Sequence, residues 1–229
     1  MINFIPHTIA IQSLMPLLFK NMNVHSIMNT GSKIALIILT IDVILTYITV
    51  YLSKEDILSP GLRKTAKVIC FLILDIALAI MIVTLIITTR YKTAVKHGAY
   101  TDDMTVKAMY DGIKYSPVES KLPDNLEGCI VLYYRFDCPD CHAVYNDLSA
   151  AVKDKDSIYW VSTRSKQGKA LLAQYPVNEV PSGIYFRKNT YSDALTYTKK
   201  VLYTTDSSEN TILYKDNLNR LLELQSSTQ

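Results

Sequence analysis

Residues 129–142 read Cys-Ile-Val-Leu-Tyr-Tyr-Arg-Phe-Asp-Cys-Pro-Asp-Cys-His, and the fold turns on this stretch. Ile130 to Tyr134 and Phe136 are apolar or aromatic with little polar interruption, as a central strand covered on both faces requires. Pro139 suits the first position of a helix, where its missing N–H costs nothing. Behind it Ala143, Val144, Leu148, Ala151 and Val152 recur at helical spacing, to about Lys153. Cys138 and Cys141 therefore stand where a buried strand passes into a helix. Unpaired N–H groups and the helix dipole favour a thiolate at that point.

The rest of the chain narrows what those thiols serve. It has 229 residues, a net charge of +3 and four cysteines. The basic residues are scattered, which points away from nucleic acid. Four cysteines are too few for a disulfide scaffold. Cys70, in an apolar stretch, and Cys129, at the strand start, read as small buried apolar side chains. His7, His25, His97 and His142 are scattered, so a histidine metal cluster is not expected. There is no glycine-rich nucleotide loop, Ser-His-Asp grouping or carboxylate pair, and no cofactor is implied.

Residues 34–52 (IALIILTIDVILTYITVYL) and 68–89 (VICFLILDIALAIMIVTLIITT) are long enough to cross a bilayer and show no polar face. Tyr51 and Tyr91 sit at their ends, as interfacial aromatics do. Ser53 to Lys67 joins them, with a Ser59-Pro60-Gly61 turn and four basic residues. The pattern predicts a two-helix transmembrane hairpin over 33–90 and a folded domain over 91–229. Residues 1–32 are interrupted by Pro6, Pro16, Asn21, Asn23, Asn29 and Gly31 and lack signal-peptide features. Thr8 to Lys20 fits an interfacial helix or a partly ordered tail.

A hairpin puts both chain ends on one side of the membrane. Basic residues are nearly balanced between the two sides, so charge counting does not choose between them. A tethered dithiol has its clearest use where disulfides persist, which favours an extracytoplasmic domain. Asp42 and Asp75 each lie within a span, where an unpaired charge is costly. Both are expected to face protein: the other helix, Thr46 or Thr84, a second copy, or a basic residue of a membrane partner. A protonated Asp bonded to its own backbone or a nearby Thr is the alternative.

Beyond the spans, Asp102 or Asp103 caps a helix to about Tyr110, ended by Asp111-Gly112. Pro117, Pro123, Asn125 and Gly128 make the next part loop-rich. After the Cys-x-x-Cys helix come a strand at Ser157–Ser162 and a helix at Lys166–Gln174. Val180-Pro181 then opens a strand to Phe186, followed by a Tyr/Thr-rich strand around Thr196–Tyr203. A last helix near Asp216–Gln225 carries Leu218, Leu221 and Leu222 on one side.

That order resembles a thioredoxin-like domain over about residues 100–226: a mixed central sheet flanked by helices, here attached to a transmembrane hairpin. Two features carry the resemblance. Cys138-Pro139-Asp140-Cys141 follows a buried strand, and Val180-Pro181 opens another strand 43 residues after Cys138. The resemblance implies that Cys138 is the exposed attacking thiol, Cys141 the resolving thiol and Pro181 a cis-proline packed against both. The chain departs from the family in the middle dipeptide, Pro139-Asp140 instead of Gly-Pro, and at three further positions. Leu132 stands where a buried acid helps move protons, Asp137 replaces a tryptophan, and Tyr134 replaces another aromatic.

The implied activity is thiol–disulfide exchange on protein substrates. Asp137 and Asp140 flank Cys138 and oppose its thiolate, while a protonated His142 supports it. That balance predicts a reductant or isomerase-like exchanger rather than a strong oxidant. With Cys70 alone in the spans, the chain cannot carry two electrons across the bilayer by thiol chemistry, so a separate membrane partner must recharge it. Two other functions fit parts of the pattern. One is a zinc site, which lacks two well-placed further ligands. The other is a non-enzymatic subunit of a larger membrane assembly, docking through the thioredoxin-like domain.

Overall fold

The structure, a computed structural model, describes residues 15–54, 59–100, 103–189 and 194–227. It forms two compact units, one from residues 1–91 and 102–107, the other from 92–101 and 108–229.

The first unit is built on α1 (Val24–Lys54) and α2 (Pro60–Lys96). Both are long and apolar enough to cross a bilayer, and only 11% of the most apolar window of each is buried. A soluble core helix would bury most of such a window. Five threonine hydroxyls are satisfied within their own helices: Thr40, Thr49, Thr84, Thr88 and Thr89 each donate to the carbonyl four residues back, at 2.7–2.9 Å. In lipid such internal pairing removes the cost of an unbonded hydroxyl.

Gly31 lets the two helices approach, since a Cβ there would meet Thr84 Oγ1 at 2.5 Å. The helix runs through Asn29 and Gly31, earlier than the apolar stretch itself predicts. Asn23 explains the start: its Oδ1 accepts from Ser26 N at 3.0 Å. Ser59-Pro60-Gly61 is not a free turn either. Pro60 opens α2 and Ser59 Oγ accepts from Leu62 N at 3.4 Å. Of the expected Thr8–Lys20 segment, residues 15–18 are helical; residues 1–14 lie outside the described residues.

The second unit holds a four-stranded mixed sheet in the order β2-β1-β3-β4, formed by β1 (Ile130–Tyr134), β2 (Ile158–Ser162), β3 (Ser182–Lys188) and β4 (Leu195–Val201). β1 runs parallel to β2 and antiparallel to β3, and β3 runs antiparallel to β4. Every residue of β1 is buried. Its alternation feeds two apolar layers. Ile130 and Leu132 pack with Val144, Leu148, Leu218 and Leu221. Val131 and Tyr133 pack with Val161, Leu171, Ile184 and Phe186. The first layer is covered by α4 (Pro139–Val152) and α6 (Lys215–Ser226), the second by α5 (Lys166–Gln174). Gly183 permits the close approach of α6, for a Cβ there would meet Leu221 at 2.5 Å and Leu132 at 3.3 Å.

Two expectations about local structure are overturned. α3 (Val106–Tyr115) begins later than Asp103 and continues through Asp111-Gly112; Asp102 lies outside the described residues. Gly112 serves packing instead of termination, because a Cβ there would collide with the Phe136 ring. The Tyr/Thr-rich strand also divides. β4 ends at Val201, and Leu202 is fully buried, its N–H bonded to Pro181 O and its carbonyl to Tyr214 N. The chain then forms a hairpin from β5 (Tyr203–Thr205) and β6 (Thr211–Leu213). Asp206 Oδ1 closes its loop by accepting from Ser208 N and Asn210 N at 2.8 and 2.9 Å.

Candidate dithiol site

Strand β1 delivers Cys138 to the N-cap of α4. There its Sγ accepts from Cys141 N at 3.4 Å and, when protonated, donates to Val180 O at 3.6 Å. The Val180–Pro181 peptide is cis. Both thiols are free and pack against Tyr134, with Trp160 and Val180 around them. Trp160 also sits edge-on to Tyr134 and Tyr145, with ring centroids 6.2 Å apart in each case. Cys138 is only 4% exposed, not the open thiol that the resemblance implies. The tie to Val180 O and the hairpin over the helix start account for this. Thr211 Oγ1 of β6 donates to Asp140 Oδ1 at 2.8 Å, and Tyr203 Oη of β5 donates to Glu179 Oε2 at 3.1 Å.

The two thiols are driven apart electrostatically. Cys138 is lowered from 9.0 to about 6, first by the hydrogen bond between its sulfur and the Cys141 side chain, then by the Cys141 backbone N–H and the Arg135 charge. Burial and Asp140 oppose the shift. Cys141 is pushed up, by the same bond to Cys138 and by burial. Cys138 is thus the thiolate and Cys141 the held proton.

Of the flanking residues, Asp140 opposes the Cys138 thiolate, whereas Asp137 and His142 are engaged elsewhere. Asp137 is paired with Arg135 Nε and Arg164 Nη2, each at 3.1 Å, so its charge is shared by two guanidiniums. His142 Nε2 lies 2.6 Å from Phe136 O, a contact in which the ring donates, and Arg135 supplies the positive charge acting on Cys138. Sequence reasoning missed Arg135 and Arg164. Arg135 was visible beside the motif, whereas Arg164 arrives from the far end of β2. Leu132 is fully buried within the apolar layer. Cys129 is buried at the other end of β1, its thiol raised by desolvation.

These shifts link folding of the reduced protein to pH. Between about pH 6 and 9 the unfolded chain keeps a proton on Cys138 that the native state has lost. Stability of the reduced form therefore rises with pH across that window and is lost again as pH falls through 6. Above pH 9 Cys141, still protonated when native, reverses the slope. Once solvent screening is allowed for, the gain between pH 6 and 9 is about 2 kcal/mol. Urea titrations of reduced wild type and Cys138→Ser at pH 6 and 9 check this: the wild-type gain should vanish in the variant.

The acids of the first unit separate. Asp42 is 8% exposed, its Oδ1 has no hydrogen-bond partner among the described residues, and it lines a cavity of about 1010 Å³ with Thr46, Arg63, Lys67, Cys70 and Phe71. Asp75 is exposed on the outer surface of α2. The two do not face each other. Among the described residues no three His, Cys, Asp or Glu side chains are placed to hold a metal ion.

Comparison with family models, with curated proteins and with solved structures finds no match to this chain.

Proposed function

We propose that this protein is a membrane-tethered thiol–disulfide exchanger whose second unit is a divergent thioredoxin-like domain. The observation that carries this is the pairing of a lowered Cys138 thiol at a helix start with a raised Cys141 thiol one turn on, beside the cis Val180–Pro181 peptide. The Cys138 thiolate attacks one sulfur of a substrate disulfide. A bond forms between them and the other substrate sulfur leaves as a thiolate. Cys141 then gives up its proton and attacks Cys138 Sγ. The dithiol becomes a disulfide, the second substrate sulfur leaves, and the substrate has gained two electrons. The reverse sequence transfers a disulfide to substrate.

The direction follows from how far the reduced form is stabilised. A thiolate near pH 6 stabilises it more than flanking acids alone would allow, yet less than in strong oxidants, whose thiols fall near 3.5. An isomerase-like potential of roughly −200 mV is expected. Equilibration of the full-length protein with glutathione buffers, read by thiol alkylation, tests this. A value near about −120 mV, or a pair that never oxidises, overturns it.

α1 and α2 form a transmembrane hairpin in this proposal, and the dithiol unit lies outside the cytoplasm. A separate membrane partner recharges the thiols. Asp42 supports that partner, since a buried carboxyl oxygen without a bond at membrane depth is stabilised by a donor from another chain. Asp42→Leu is expected to weaken co-purification of the partner at least roughly tenfold while sparing exchange by the purified protein. Asp75→Leu tests the outer face of α2 in the same way. Unchanged partner recovery in both variants would remove this contact from the proposal. The slight exposure of both thiols favours the second function, a docking subunit of a membrane assembly.

A further inference from the structure

We infer that the exchange site selects a cysteine flanked by charges of opposite sign, with an acidic side chain over Arg135 and Arg164 and a basic one over Glu179. The inference rests on the exchange function proposed above and adds the class of substrate.

The sheet order fixes the arrangement. β1, β2 and β4 all end at the edge where β3 begins, as the alignment of Tyr134 with Ser162 and of Tyr133 with Ser182 and Val201 shows. Along that edge lie Arg164 beyond β2, then Arg135, Asp137 and Cys138 beyond β1, then Glu179 and Val180 ahead of β3, and Tyr203 beyond β4. Cys138 is therefore bracketed by arginines on one side and a carboxylate on the other. Neighbouring strands are about 4.8 Å apart, so the two charged sides stand roughly 10 Å apart across the thiol. An extended segment covers about 3.3 Å per residue, so side chains one or two positions either side of a substrate cysteine reach both.

The charges are available. Two guanidiniums share the single carboxylate of Asp137, which leaves one positive charge in excess. Arg135 and Arg164 are 41% and 33% exposed. Glu179 is exposed and oriented by Tyr203 Oη, while Asp140 is half-buried and taken up by Thr211. Glu179 belongs to a segment that also touches the thiol, because Cys138 Sγ lies 3.6 Å from the carbonyl oxygen of the next residue, Val180.

The test uses full-length Cys141→Ser in detergent micelles, which stops at the mixed disulfide. Five-residue peptides with an activated central cysteine are compared at low salt: Asp-Gly-Cys-Gly-Lys, Lys-Gly-Cys-Gly-Asp, the two like-charged versions and an uncharged one. One of the mixed-charge peptides is expected to react roughly tenfold faster than the like-charged and uncharged ones, and the advantage should collapse at about 1 M salt. Glu179→Lys should transfer the preference to the doubly acidic peptide, with Glu179→Gln between. Rates within about twofold for all peptides, or a ranking that Glu179→Lys leaves unchanged, overturn the inference. Reaction of the uncharged peptide without any ranking sinks this inference alone. Failure of every peptide, together with failure of a small aromatic disulfide, sinks the exchange function as well.

Discussion

Cys138→Ser is expected to lower disulfide exchange by roughly 1,000-fold or more, while Cys141→Ser keeps the first attack and accumulates a mixed disulfide with substrate. The asymmetry follows from the two environments. Cys138 caps α4 and receives the Cys141 N–H, so its sulfur carries the charge. Cys141 lies one turn deeper with its proton retained. The rate of attack by Cys138 should rise with pH, reach half its maximum near pH 6 and then level off. Stopped-flow alkylation across pH, and non-reducing gels of Cys141→Ser from intact cells, supply both readouts. Full biological function in Cys138→Ser would transfer the case to the docking subunit.

Leu132→Ala is expected to cost about 3 kcal/mol, within the range for a large-to-small change in a closed core. Leu132 is fully buried at the centre of the sheet and packs with residues of both α4 and α6. Gly183 holds Leu221 close to it, which leaves little freedom for the layer to collapse into a void. Hydrogen exchange of the β1 amides in the full-length protein should accelerate by roughly 100-fold under conditions where they open only by unfolding. Acceleration of less than about fivefold would mean that the layer relaxes around the change.

What the sequence disclosed depends on the range of the interactions. β1 and α4 are legible because an apolar run and Pro139 act locally. The long helices are legible for the same reason, as bilayer-length apolar segments. Their ends are not, because Asn23 and Ser59 decide them through single hydrogen bonds. α3 passes Gly112 because Phe136, distant in sequence, occupies the space that a side chain would take. The β5–β6 hairpin left a signal in Asp206-Ser-Ser-Glu-Asn210, a turn-forming run between two short β-favouring segments, Tyr203-Thr-Thr205 and Thr211-Ile-Leu213. Its effect on Cys138 left none, since Thr211 reaches Asp140 across 71 positions. The same holds for Arg164, which offsets an acid that sequence alone assigns to the thiol.

Trp160 is the single tryptophan of the chain, and it lies against the cluster that contains both thiols. In the purified protein, light emitted on excitation of indole therefore comes from one known place, beside the cluster that holds both sulfurs. If the two thiols exchange as proposed, the purified protein would report their oxidation through that one indole, without dye, tag or added cysteine.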